Sequence, residues 1–155
     1  MPTKGLPGRE EQGYYWRVQP ELEGTMPDPT LLMWSAVLTF VMVLAAGLIK
    51  YRAWTPQGLN TMMGNREHVD EPTGLARRAD RAAANMIENM VLFTAVFAAV
   101  HFSGQGDAQA NWGATLFFWA RLIYWPVYLA GIPYLRTGLW AVAIVGIGMM
   151  ALSMI

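Results

Sequence analysis

The sequence predicts an all-α fold, a bundle of four transmembrane helices in a lipid bilayer. Three observations carry that expectation. Hydrophobic residues make up 54% of the 155-residue chain and charged residues only 14%, too few to coat a soluble domain of this size. The charge is also segregated, since beyond Arg81 the only formal charges are Glu88, Asp107, Arg121 and Arg136. Finally, four apolar runs follow one another, each near the roughly 20 residues that cross a hydrocarbon core.

Residues 1–29 are polar and rich in Pro, Gly and charge, and read as an N-terminal tail distinct from the membrane domain of residues 30–155. No apolar h-region follows the first Lys, so the tail does not read as a signal peptide. Met26 opens a stretch, MPDPTLLMW, that looks like a natural start. Residues 1–25 are therefore either native or an upstream extension, and both readings stay open.

The first run, Thr30–Ile49, closes on Lys50, Tyr51 and Arg52 at an interface. The second, Leu75–Phe102, begins with two charged turns that project from the membrane. The third covers Ala110–Ile132 and the fourth Tyr134–Ile155. Tyr51, Trp54, Trp112, Tyr134 and Trp140 sit near run ends, where amphipathic rings anchor helices at the headgroups. Residues 50–75 read as one long polar loop, SGQGDAQ as a short second loop, and Gly131–Pro133 as a tight third. Lys50, Arg52, Arg66, Arg77 and Arg78 flank the first loop and Arg136 the third, whereas the second has no Lys or Arg. The positive-inside rule then puts loops one and three in the cytoplasm and both termini on the opposite side.

Composition excludes several classes of function. The chain has no cysteine, so it has no disulfide, no thiolate metal site and no thiol nucleophile of its own. Zero net charge without a basic surface argues against nucleic acid. Glu67, His68, Asp70 and Glu71 lack helical ligand spacing, and no metal is expected. His101, near the end of the second run, reads as an interfacial or interhelical residue. Gly146 and Gly148, with Ala141 and Ala143, read as close-packing positions.

Two polar lines interrupt the apolar runs. Arg81, Asn85 and Glu88 fall at i, i+4 and i+7, within roughly 60° of one helix face. An ionisable group inside a span is expensive and suggests a function, with a partner helix, a ligand or a wet cleft in front of it. On the third run Arg121, Tyr124 and Tyr128 also share one face, and Arg136 follows beyond the break. The two lines lie at similar depth and can converge. Interhelical hydrogen bonding would explain them equally well. Against that stands an excess of donors: three arginines, an Asn and two tyrosines against the single carboxylate of Glu88. Such a surplus in a low-dielectric cleft calls for an anionic ligand.

The run Arg81-Ala-x-x-Asn85-x-x-Glu88-x-x-x-x-Phe93 resembles the signature of the MAPEG superfamily, membrane-associated proteins in eicosanoid and glutathione metabolism. So does Ala120-Arg121-x-x-Tyr124-x-x-x-Tyr128 followed by Arg136. The resemblance covers roughly residues 30–155. It implies a homotrimer with glutathione, as cosubstrate, held between subunits near the cytoplasmic face. Carried over by position, Arg81, Asn85 and Glu88 hold the tripeptide, with Glu88 on its α-ammonium and Arg81 on a carboxylate. Tyr124 and Tyr128 line the cleft and Arg121 lies buried behind them. Arg136, offset by about one residue from the family spacing, corresponds to the arginine that stabilises the thiolate, helped by Tyr128. Lys50 or Arg52 is a candidate for a further carboxylate contact. Two positions depart from the pattern: Ala83–Ala84 where relatives carry a polar or basic residue, and Val91 where they tend to carry Pro.

The expected function is a glutathione-dependent transferase or peroxidase acting on hydrophobic electrophiles or lipid hydroperoxides in the membrane. Two alternatives remain: a non-catalytic lipid- or metabolite-binding protein of the same fold, and a structural subunit of a membrane complex.

Overall fold

The computed structural model describes residues 26–65 and 71–155, and all its regular structure is helical. Helix α1 spans Pro29–Tyr51. Asp28 caps it, its carboxylate accepting from the Thr30 N–H at 2.8 Å, and Pro29 occupies the first turn, where no N–H is needed. Its end is an αL cap at Arg52, φ 50°. Ser35, Leu38, Met42 and Ala46 form its single buried stripe.

The loop expected over residues 50–75 instead contains a short helix, α2, Pro56–Met63. Thr55 caps it by accepting from the Gly58 N–H at 3.0 Å. Gly58 lies against the carbonyls at the end of α1, where an added Cβ would come within 2.1 Å of the Tyr51 oxygen. Only glycine fits there.

Helix α3, Gly74–Ser103, has 30 residues, about 45 Å of length, and therefore outreaches a hydrocarbon core. Helix α4, Ala108–Ala130, starts at the Asp107 cap and ends at Gly131, φ 79°. Helix α5, Pro133–Leu152, follows after two residues. Each of the four long helices agrees with its expected run to within three residues at either end.

The long helices pack antiparallel. Along the α4–α5 seam Gly113 meets Gly146 so closely that a Cβ on Gly113 would lie 2.5 Å from the Gly146 carbonyl oxygen. Ala143 is buried in the same seam, whereas Gly148 has open space around it and Ala141 is exposed, so these two take no part in it. Between α3 and α4 the Phe93 and Phe117 rings stack at 4.0 Å. The α1–α3 seam is pinned by the Lys50–Asp80 ion pair at 3.0 Å.

Three helices, α1, α3 and α5, are long and apolar enough to cross a membrane. Helix α4 matches α1 in length but carries Gln109, Asn111 and Arg121, and does not reach that standard. Outward-facing side chains settle the environment. Phe40 is 67% exposed, Val91 66% and Val145 57%, although each lies in the middle of a helix. Water would penalise such surfaces; acyl chains would not. The chain is an integral membrane protein.

Candidate functional site

The α3–α4 seam builds the site in layers. At its deep end lies the Phe93–Phe117 stack. One turn on, Arg121 of α4 is completely buried, and its Nη1 donates to Oδ1 of Asn85 at 2.8 Å. Its guanidinium carbon lies 5.1 Å from the Tyr124 ring and 5.6 Å from the Phe117 ring, both within cation–π range. Beyond that, Tyr124 and Tyr128 lie with ring centres 5.3 Å apart. The Arg136 guanidinium, from the first turn of α5, covers the Tyr128 ring at 4.8 Å.

The two polar lines therefore do meet, through Asn85 and Arg121. They do not close on Glu88 as expected. Among the described residues neither Glu88 nor Arg81 forms an ion pair, and both are exposed. The reason is rotational. The buried face of α3 runs through Ala79, Ala82, Ala83, Met86, Asn89 and Phe93. At 100° per residue Asn85 sits at the edge of that face, while Arg81 and Glu88 point roughly 130–160° from its centre. Arg81 instead borders a cleft of about 400 Å³ between α1 and α3, with Val43, Ala46, Ala84 and Ile87 in its walls. A second, more apolar cleft of about 490 Å³ continues along the same seam past Ile87 to Thr94.

Arg52 lies exposed at the end of α1, away from the α3–α4 layers, and Lys50 is engaged by Asp80. Sequence spacing missed Asn89. It is 4% exposed, and its Nδ2 donates to the Asn85 carbonyl at 2.8 Å. Its Oδ1 has no partner, and neither do Nε and Nη2 of Arg121. The position was visible as i+4 from Asn85, on the same face. His101 is exposed and stacks on Phe97 at 6.2 Å, so it bridges no helices within the chain. Among the described residues no three metal-ligating side chains come together, and Glu67, His68 and Asp70 lie outside them.

The helices that carry Asn85, Arg121, Tyr124, Tyr128 and Arg136 lie within a family match. The MAPEG family model matches residues 30–155, all of the helical region. The chain belongs to the MAPEG family. No curated protein and no solved structure matches it. MAPEG membership accords with the apolar, outward-facing helices, and brings a membrane role in glutathione or eicosanoid metabolism.

Chemically, the MAPEG site offers three things. Asn85 has its oxygen committed to Arg121, which leaves its Nδ2 as a donor for a ligand acceptor. Arg136 and Tyr128 supply a cation and a phenol at one end of the bundle. Glu88 presents a carboxylate on the outward side of α3.

Proposed function

We propose that the protein is a glutathione-dependent transferase or peroxidase acting on hydrophobic electrophiles or lipid hydroperoxides in the bilayer. The observation that carries this reading is Arg136 stacked on Tyr128 beside the Asn85–Arg121 pair. A cation next to a thiol favours the ionised, nucleophilic form, and a phenol beside it can donate a proton or hydrogen bond. The chain has no cysteine, so the thiol arrives with glutathione. In conjugation a C–S bond forms at the electrophilic carbon, and the displaced electron pair either leaves with the departing group, as chloride does from an aryl chloride, or stays on the acceptor, which then takes up a proton. In the peroxidase reaction the thiolate attacks the hydroperoxide oxygen and releases an alcohol, and a second glutathione reduces the resulting sulfenate to the disulfide and water.

The working form in this proposal is a homotrimer with all four long helices across the bilayer. Helix α4 joins the other three as a span because its one charged group, Arg121, is turned inward onto Asn85 of α3, while Gln109 and Asn111 lie in its first turn and bond to the Met149 carbonyl and the Asp28 N–H. Arg81 and Glu88 face away from their own core, which suits a ligand gripped between subunits. Loops one and three lie on the cytoplasmic side, where glutathione enters, and the acceptor diffuses in laterally. Arg81, Asn85 and Glu88 bind the tripeptide, Tyr124 lines the cleft, Arg121 fixes Asn85 from behind, and Arg136 with Tyr128 stabilises the sulfur. Arg52 is an outer carboxylate contact.

The test is thiol conjugation to a generic chloronitrobenzene by the purified protein in detergent. Product formation above the uncatalysed rate, abolished in Arg136→Ala, supports the enzyme. The apolar α1–α3 clefts favour a second reading, a lipid- or metabolite-binding protein. Glutathione or lipid binding without product would select it.

A further inference from the structure

Two of the last four carbonyls of helix α4 accept from the backbone of the turn that follows. The Ile132 N–H donates to the Val127 oxygen at 3.4 Å, and the Gly131 N–H to the Tyr128 oxygen at 3.0 Å. The Leu129 oxygen has no such backbone partner, and Arg78 takes the place: its Nε donates there at 2.8 Å, from 51 residues upstream on α3. The arrangement is close-fitting. A Cβ on Gly131 would sit 3.6 Å from the Arg78 Cδ and 3.7 Å from its Cζ. A guanidinium at this spot also faces the negative end of the α4 dipole.

The two groups assigned to the chemistry lie on either side of this point. Tyr128 is the residue before Leu129, and Arg136 sits one turn into α5, beyond a connection of two residues. Their 4.8 Å stacking spans the α4–α5 turn and depends on its geometry. Elsewhere the α4–α5 hairpin is held by the Gly113–Gly146 seam, far toward the opposite end. Near the turn, the Arg78 bond ties the hairpin to α3, the helix that carries Asn85 and Glu88.

We propose that Arg78 is a positioning residue. By docking the α4–α5 turn onto α3 it sets the register of Tyr128 and Arg136 against the ligand groups held by Asn85 and Glu88. This inference rests on the thiol-enzyme reading above. Arg78 touches neither reacting atom; it acts through the turn. A misplacement of about 1 Å at such a distance can cost up to about a hundredfold in rate.

The experiment compares full-length wild type, Arg78→Met, Arg78→Lys and Gly131→Ala, in detergent, by steady-state kinetics and by the pH dependence of the bound thiolate's ultraviolet absorbance. Arg78→Met keeps much of the volume and loses the donor, so kcat should fall roughly ten- to a hundredfold while KM for glutathione changes less than about threefold. The thiolate should also form at higher pH, because Arg136 no longer sits squarely against the sulfur. Arg78→Lys should recover part of both, and Gly131→Ala, strained at its positive φ, should reproduce the loss with the Arg78 side chain itself unchanged. If Arg78→Met fails to fold, Gly131→Ala and Arg78→Lys carry the test alone. Variants that lose thermal stability but keep the wild-type kcat and pH profile overturn the positioning role. A wild type with no thiol turnover overturns the underlying reading instead, and this inference with it.

Discussion

Arg121, fully buried, and half-buried Asn85 form a hydrogen bond of 2.8 Å between α4 and α3, with no carboxylate in the contact. A guanidinium at zero exposure is costly to place, and this one holds a single amide oxygen while two of its nitrogens have no partner. The pair is the point at which the fold and the candidate site become one object.

Removing the amide should therefore hurt stability as well as binding. Asn85→Ala strips Arg121 of its one hydrogen bond and should cost about 1.5–3 kcal/mol. Replacing both partners, as Asn85→Leu with Arg121→Met, should recover part of that loss, because no buried donor is then stranded. Thermal unfolding of wild type, Asn85→Leu, Arg121→Met and the double variant in one detergent measures the coupling.

Binding and turnover should separate by residue. Glu88→Ala should raise the dissociation constant for glutathione with a smaller effect on kcat. Arg136→Ala should lower kcat more than binding. Equal loss of both constants in the two variants would contradict the division of roles.

Close helix packing gives a prediction independent of function. Gly113→Ala and Gly146→Ala each drive a methyl to within 2.6 Å of the facing backbone oxygen or closer. Each should cost about 1–3 kcal/mol. Gly148→Ala meets nothing within 4 Å and should stay within about 0.5 kcal/mol of wild type. Melting temperatures in detergent distinguish the two groups.

Acid should loosen the start of α1. The backbone N–H of Thr30, and then its hydroxyl, hold the Asp28 carboxyl below its ordinary value of 3.8. The folded form thus favours the carboxylate, so the cap's contribution is fully present above the unfolded value and fades as pH falls through the lower folded one. Asp28→Asn keeps a capping oxygen without a titration. The melting-temperature difference between wild type and Asp28→Asn should shift against wild type as pH drops below about 4. A difference that stays flat across that range would remove the cap from the account.

How much of this was legible beforehand differs from feature to feature. Helix positions were, because long apolar runs punctuated by Gly104, Gly131 and Pro133 admit few other readings. Family membership was legible from two spaced motifs. The α2 helix was not read, although Thr55-Pro56 is a cap followed by a first-turn proline; its polar composition masked it. The pairing inside the site was harder. Spacing gives angles around one helix but not which angle faces the neighbour. Arg81, Asn85 and Glu88 share a face, yet only Asn85 grazes the core, and the two charged residues turn outward. Asn89 and Arg78 escaped as site residues for the same reason, since their importance lies in contacts to α3's own backbone and to the end of α4.

The central claim is that this MAPEG bundle holds a thiol tripeptide at Asn85, Glu88 and Arg136. The most direct measurement is the melting temperature of the detergent-solubilised protein with and without millimolar reduced glutathione, on wild type and on Glu88→Ala. A ligand at a hundred times its dissociation constant stabilises by about 2.7 kcal/mol. Wild type should therefore melt several degrees higher with glutathione, and Glu88→Ala should lose most of that gain. A wild-type melting temperature that glutathione leaves unmoved would contradict the account.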